Sequence, residues 1–452
     1  MHPAVDAFLA EHPLAESVDL LLPDLNGVLR GKRLGMDGLA GALRGECFLT
    51  SSLYAFDVTG ATVERSSVVR DDGEIDLPVA LDPATLHPVP WQPGRAQILG
   101  GLGDGQGRPH FADPRALLGR VAARFAELGL APVAALELEF HLLDGELDPT
   151  GRPEGLRSPR LGGARGTETD VFLPERLDEQ ERFLTLVEEY AGAQGIALKG
   201  TVAEYAPGQF EVNLGHGHDM LRAADEAVML KRLIRAAAQA TGQRATFMPK
   251  PFEGQSGSGL HAHVSLTDRE GRNVFGETGP VGDATLRFAA GGLLALMPES
   301  TLAFAPTANG YRRLRPGAYA PTAATWGHNN RTVAVRVPPG PASARRLEHR
   351  VAGADANPYL VLAAVLAGIH HGLTHRLGPG DPATGDAYVA PTEAARLPLS
   401  WGEAIAAWRR GEALRTYLGD RLTDLYADCR EFERDRFRAR VTPTEYAWYL
   451  GI

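Results

Sequence analysis

The chain has 452 residues, long enough for two domains around sizeable cores, and its apolar (44%) and charged (23%) fractions are those of an ordinary globular protein. A net charge of −10 argues against nucleic acid as the main partner, and two cysteines, Cys47 and Cys429, exclude a disulfide framework or a cysteine-rich zinc site. The N-terminus has no basic-then-apolar leader and no apolar run reaches membrane-spanning length, so a cytoplasmic, enzyme-sized protein without a membrane partner is expected.

The pattern predicts an α+β chain of two parts, residues 1–107 and 108–452, separated by the turn-rich Asp104 to Arg108. In the first part, Val18 to Leu22 reads as a strand, Asn26-Gly27 as a tight hairpin turn and Val28 to Leu34 as the returning strand. The second part opens with a helix capped by Asp113, carrying Pro114 at its first position and ending at Gly129. Val133 to Leu143 then alternates, with Leu136, Leu138, Phe140 and Leu142 facing one way and Glu137, Glu139 and His141 the other. Alternate carboxylates repel unless solvent, arginine or a metal relieves them.

Helical spacing follows over about Glu179 to Gln194 and Met220 to Thr241. Between them, Thr201 to Gly215 is a strand-like segment interrupted at Ala206-Pro207-Gly208, with Glu204 before the interruption and Gln209, Glu211 and Asn213 on one face after it. Gly254 to Leu266 is a glycine-rich loop running into a strand that puts His261, His263 and Ser265 on one side and Leu260, Ala262 and Val264 on the other. Taken singly, each polar face also fits a solvated strand. Glu137, Glu139, Glu204, Glu211 and His261, together with Glu348, form an oxygen-rich set with one histidine that suits Mg²⁺ or Mn²⁺ better than zinc or copper. Arginines crowd the last third of the chain, among them Arg313, Arg331, Arg336, Arg346 and Arg350, and their planar forks suit phosphate or carboxylate. No Walker-type P-loop is present, so any nucleotide would be held by metals and arginines.

The ordered set Glu137-Leu138-Glu139, Glu204 through Pro207-Gly208-Gln209 to Glu211, Gly257-Ser258-Gly259-Leu260-His261-Ala262-His263, Tyr311 to Leu314, Asn330-Arg331 and Arg346 to Arg350 resembles the glutamine synthetase superfamily over nearly the whole chain. Phe56 to Gly60, Ala318 to Pro321 and Arg350 to Gly353 are similar to its γ-glutamylpolyamine synthetase branch. The resemblance implies a β-grasp N-terminal domain, a catalytic domain built on a curved antiparallel sheet, and a dodecamer in which a neighbour's N-terminal domain completes each site. It implies that Glu139, Glu204 and Glu211 hold one divalent metal and Glu137, His261 and Glu348 another. Arg313, Arg350 and the Gly257 backbone, beside His261, would bind glutamate. Arg331, Arg336 and Arg346 would bind the ATP phosphates, with His263 and Ser265 near the nucleotide.

The chemistry implied is ATP-dependent activation of the glutamate γ-carboxylate as an acyl phosphate and its capture by an amine, with Arg313, Tyr319, Arg331 and Glu348 closest to the reaction. Pro316 to Pro321 is the expected lid over that intermediate. Ammonia-using relatives carry an Asp and a Glu where this chain has Leu49 and Tyr319. An alkyl amine could lie along Leu49, with its distal cation against Tyr319 or Trp326. The expected nucleophile is therefore a polyamine such as putrescine or spermidine. Ethanolamine, ammonia and a non-catalytic ligand-binding role are the alternatives. Tyr388 lies where some family members carry a modified tyrosine, and no role is assigned to it. The apolar load of Leu422 to Ile452, with Leu425, Phe432, Phe437, Tyr446, Trp448 and Tyr449, fits an assembly contact, a terminal helix packed on its own domain, or both.

Overall fold

The structure is a computed structural model that describes every residue except 1, 167–168, 277–279 and 390–392. Its first sheet contains β1 (Ser17–Pro23), β2 (Leu29–Gly35), β3 (Phe48–Thr50), β4 (Asp76–Leu81), β5 (His87–Pro88) and β6 (Arg95–Leu102). The order is β2-β1-β6-β4-β3, with β5 also on β6. β1 and β2 form the expected antiparallel hairpin, and β6 returns parallel to β1. The connection is longer than a two-residue Asn-Gly turn. Asp24 organises it, because its Oδ1 accepts the N–H groups of Asn26 (2.8 Å) and Val28 (2.9 Å), while Gly27 takes the left-handed φ of 72°.

The second sheet contains β7 (Ala131–Leu147), β8 (Pro153–Gly155), β9 (Leu198–Ala203), β10 (Gln209–Leu214), β11 (Gln243–Thr246), β12 (Leu260–Thr267), β13 (Trp326–His328), β14 (Val335–Val337) and β15 (Leu347–His349). They run β13-β14-β15-β12-β7-β10-β9, antiparallel except where β13 meets β14 in parallel. The segment read as one strand from Thr201 to Gly215 is a hairpin of β9 and β10. Gly208 turns it at φ 73°, where a Cβ would press to 2.9 Å from the Leu142 carbonyl.

The helix capped by Asp113 spans Pro114–Ala123 and tightens into a 3-10 turn before Gly129 ends it in the left-handed conformation. The helix expected from Glu179 begins earlier, as two segments, Pro174–Glu179 and Glu181–Ala193, that meet at Gln180. Helices Met220–Ala240 and Pro358–His375 supply the apolar layer behind the second sheet. The first also faces the N-terminal sheet, where Arg232 meets Asp19 at 3.0 Å. Arg115 ties the two parts together, reaching Asp82 at 2.5 Å and Asp225 at 2.9 Å, and Tyr359 donates its hydroxyl to Asp225 at 2.6 Å.

The chain end divides. Leu425 is fully buried, whereas Tyr446, Trp448 and Tyr449 on the terminal helix Pro443–Tyr449 are 57%, 69% and 54% exposed. Helix Asp420–Arg438, which carries Leu425, packs on its own domain as one reading expected, whereas the short helix after it buries none of its side chains. Among the described residues no helix is long and apolar enough to cross a membrane.

Candidate active site

Strand period builds the site. Register places Glu211 across from Glu139, His261 across from Glu137, and Glu348 between His263 and Arg336. All these side chains emerge on one face of β10, β7, β12, β15 and β14. The face is not a solvated one. Glu139, Glu211, His261, His263, Arg336 and Glu348 are each at most 9% exposed.

Two sets of ligand atoms converge, with all atoms of each set within 4.8 Å of one another: Glu137, His263 and Glu348, and Glu137, Glu211 and His261. Glu137 is the shared member. Its Oε1 lies 2.8 Å from His263 Nε2 and its Oε2 lies 3.3 Å from His261 Nδ1. His261 also stands 3.8 Å from Glu139 and 3.9 Å from Glu348. These groupings cut across the two triads implied by the resemblance, because His263 joins Glu137 and Glu348. Arg346 Nε donates to His263 Nδ1 at 3.0 Å. An arginine can only donate, so a neutral His263 carries its proton on Nε2, toward Glu137.

The electrostatics are divided. Burial raises the Glu137 carboxyl, but hydrogen bonds from His261 and His263 win and hold it far below the ordinary range. Glu348 is buried too, yet Arg350 and the two histidines hold it at about 2. Arg336 Nη1 is 2.9 Å from Glu348 Oε2, and Arg350 pairs with Oε1. On the other side, burial together with the charges of Glu137, Glu139 and Glu204 pushes Glu211 up to about 9. Burial and the charge of Glu139 push Glu204 up to about 7. That end of the face holds more carboxylate than its neighbours neutralise, which is the donor set of a divalent cation site.

The loop before β12 closes one side. Gly259 N–H donates to Glu139 Oε2 at 2.7 Å, and Gln209 Nε2 bridges Glu139 Oε2 at 3.2 Å and the Gly257 carbonyl at 3.1 Å. A Cβ on Gly257 would meet the Pro249 carbonyl at 2.3 Å; one on Gly259 would meet Arg313 at 2.8 Å and His261 at 3.0 Å. Glycine is needed at both positions for this approach. Arg313, buried at the end of helix Gly310–Arg313, donates to the carbonyls of Val351 (2.7 Å) and Arg350 (3.4 Å).

Arg331 is exposed at the rim, near enough for its charge to act on Glu204. Ser265 is half-buried farther along β12, opposite Val133. Tyr319 is 63% exposed in a left-handed conformation (φ 56°), with its ring 5.3 Å from Tyr205 and 6.5 Å from Tyr388. Tyr388 reaches back over the site, its hydroxyl 3.4 Å from the Arg331 carbonyl. Trp326, considered above as an aromatic face, is 1% exposed and donates to the Gly380 carbonyl at 3.3 Å, so it is not available to an amine. Leu49 sits on β3 opposite Leu77 and packs against the apolar core, within the N-terminal sheet rather than beside Tyr319.

Several contributors escape sequence reasoning. Alternation places Gln209 on the face of Glu211, but its bridge between Glu139 and the Gly257 carbonyl is not legible there. Tyr205 and Tyr388 lie in loops, where no periodicity points to them. Lys250, buried and paired with the Gln255 carbonyl, and His141, 3.0 Å from Ser258 Oγ, brace the same glycine loop from below.

Comparison with known proteins agrees with this geometry. Residues 111–449 match the family model described as glutamine synthetase, catalytic domain. The chain is 39% identical to γ-glutamylputrescine synthetase PuuA of Escherichia coli, over 99% of this chain and 94% of that protein. It is 33% identical to γ-glutamylethanolamide synthetase GlnA4 of Streptomyces coelicolor, over 95% and 91% of the two chains. A solved ADP complex of GmaS superposes with a TM-score of 0.86 over the full length of both chains, at 28% identity. The chain belongs to the glutamine synthetase family.

Proposed function

We propose that this protein is an ATP-dependent glutamate–amine ligase whose amine is a polyamine of the putrescine class. The observation behind the reading is the buried face on which carboxylates and histidines of β7, β10, β12 and β15 meet and are flanked by Arg313, Arg336, Arg346 and Arg350. Glu137, Glu139, Glu204, Glu211, His261 and Glu348 would hold divalent metal, Mg²⁺ or Mn²⁺, and His263, with its Nε2 proton turned toward Glu137, would orient that carboxylate. When bound, the metal neutralises phosphate charge and eases phosphoryl transfer.

The chain's own groups do the rest. Arg331, Arg336 and Arg346 hold the nucleotide phosphates by bidentate charge pairing. Arg313, Arg350 and the Gly257–Gly259 backbone orient glutamate so that its γ-carboxylate faces the γ-phosphoryl group. The acyl phosphate has a good leaving group where the free acid has none, so an amine can displace phosphate. Tyr205 and Tyr319, with Tyr388 behind, form an aromatic wall at the mouth. That wall excludes water and offers π faces to a distal ammonium.

No carboxylate occupies position 319, where an ammonium-capturing acid would be needed. A half-exposed aromatic wall favours a methylene chain ending in a cation over ammonia. The 39% identity to a γ-glutamylputrescine synthetase supports the same choice. A small monoamine is the second reading, supported by the 33% identity to a γ-glutamylethanolamide synthetase. Residues 1–107 are read as the unit that completes a neighbour's site through Leu49, and the exposed terminal helix as a contact of a ring assembly, most simply a dodecamer.

Catalytic efficiency measured at one pH for putrescine, spermidine, ethanolamine and ammonium tests the reading. Putrescine or spermidine is expected to exceed ammonium by at least tenfold. Ammonium equal to or above every amine would overturn it.

A further inference from the structure

A cleft of about 760 Å³ opens between the N-terminal sheet, helix Met220–Ala240 and the segment after β11. None of the residues placed in the candidate active site lines it. Its walls carry Arg33 of β2, Arg95 of β6, and Arg232 and Arg235 of the helix. These side chains are open to solvent. Those of Arg33 and Arg232 are 49% and 29% exposed, Arg235 is exposed and Arg95 is half-buried. Two are also held in place: the Arg232 guanidinium lies 5.7 Å from the centre of the Trp91 ring, and that of Arg235 4.8 Å from the centre of the Phe247 ring.

Carboxylates are scarce around them. Asp19 is shared, accepting from Arg33 at 2.6 Å and from Arg232 at 3.0 Å. Asp355, the other lining acid, is engaged by the Thr307 hydroxyl at 2.6 Å and by the charge of Lys231. Among the described residues no ion pair joins Arg95 or Arg235 to a carboxylate, and burial, with no acid opposing it, lowers Arg235. Four guanidinium groups around one carboxylate leave the cleft with an excess of positive charge. A concave site between low-dielectric walls focuses that field and concentrates anions in it. Guanidinium forks match the oxygens of phosphate and carboxylate. The volume falls within the ~300–1,000 Å³ of small-molecule sites.

The same cleft backs onto the glycine loop. Pro249, in its wall, accepts the Ser258 N–H at 3.0 Å. Asn309, also in its wall, bonds both backbone groups of Lys250, at 2.8 and 3.0 Å. Ser258 stands between Gly257 and Gly259, so an occupant that moves this wall moves the loop. We infer that the cleft is a regulatory site for a small oxyanion of two or more negative charges, gripped by Arg33, Arg95, Arg232 and Arg235 and read out through the loop. That readout rests on the glutamate-binding role proposed for the loop; binding itself does not.

The binding test uses the metal-free full chain. Inorganic phosphate, pyrophosphate and citrate are titrated separately by calorimetry, and crystals are soaked with tungstate, an electron-dense oxyanion. Tungstate should lie against the four arginines. At least one probe should bind; the phosphates alone identify a phosphate ligand, citrate alone a polycarboxylate. Arg95→Gln/Arg235→Gln, which breaks no ion pair, should weaken binding at least tenfold, whereas Arg346→Gln, in the catalytic set, should leave it within twofold. With free Mg²⁺ held constant, the bound probe should change KM for glutamate at least twofold in the wild type and not in the double variant, whose KM without probe is unaltered. No heat from any probe, binding lost in Arg346→Gln but kept in the double variant, or an acidic segment of a second copy seated on the arginines in the crystal would overturn the site. Binding in the cleft with no change in KM would overturn its regulatory role.

Discussion

Glu137 and His263 lie 2.8 Å apart, Oε1 to Nε2, although β7 and β12 pair Glu137 with His261 and His263 with Ala135. The carboxylate therefore reaches diagonally across the sheet and serves two histidines at once, one directly opposite and one a strand repeat away. It is the hinge of both candidate metal sets. Glu137→Ala should lower turnover on the order of 10²-fold or more and weaken divalent-metal binding, since both sets lose a member. Metal titration beside steady-state rates checks this; a variant with near-normal metal affinity and rate would refute it.

Glu139→Ala and His261→Ala should each abolish turnover while the chain still folds. Their costs to stability differ. Glu139 Oε2 accepts from Gly259 N–H and Gln209 Nε2, so its removal strands two buried donors, at about 1–3 kcal/mol for each left unpaired. His261→Ala removes one of two histidine partners of Glu137, which keeps the other, His263, at 2.8 Å. Urea unfolding should place Glu139→Ala below His261→Ala in stability, and Glu139→Gln should recover much of the difference without recovering activity. Equal unfolding midpoints for the two alanine variants would count against this account.

The raised carboxylates set a pH dependence. Glu204 and Glu211 have folded-state pKa values above the ordinary range, so their contribution to metal-free stability is complete below about 4.5 and is lost as pH climbs through about 7 and about 9. Divalent metal binds the ionised forms and must displace protons at lower pH. Glu137 and Glu348 shift the other way and are already ionised above pH 5, so they do not alter the trend. The rise in Tm on adding Mg²⁺ or Mn²⁺ should be larger at pH 8.5 than at pH 6, with proton release on binding. An equal or larger rise at pH 6 would contradict it.

Tyr319 presents its ring between Tyr205 and Tyr388, 5.3 Å from the first and 6.5 Å from the second. Tyr319→Ala and Tyr388→Ala should each raise KM for putrescine by about 2- to 30-fold, the range of a cation–π contact worth ~0.5–2 kcal/mol. KM for glutamate and ATP should stay within about twofold, because the arginines that hold them are untouched. Phenylalanine at either position should restore most of the loss. A uniform rise for all three substrates would mean that the wall is structural only.

Gly259→Ala would drive a methyl group to within 2.8 Å of Arg313 and 3.0 Å of His261. Arg313 is buried and held by two carbonyls, so it has little room to yield. The expected result is a rise in glutamate KM of at least tenfold and a stability loss of about 1–3 kcal/mol. Wild-type KM would show that the guanidinium moves freely.

The local rules of the chain determined a good deal. Period-two alternation fixed which of Glu137, Glu139, Glu211, His261 and His263 share a face, because strand geometry leaves no other choice. Asp113, Pro114 and Gly129 marked a helix by capping chemistry that acts within a few residues. The ordered motifs carried the family. Tertiary structure decided what such rules cannot reach. Register between strands distant in sequence made Glu137 the shared carboxylate and brought His263 to it. Burial changed a face that could have been solvated into one where Glu211 cannot ionise freely. Packing took Trp326 out of reach, and loop conformation brought Tyr388 to Tyr319. Two buried carboxamides, Gln97 and Gln194, have no local signal at all. A residue's partners are set by whatever the folded chain lays against it, and only the folded chain shows that, among the described residues, Gln97 has none and Gln194 has one, the Pro88 carbonyl.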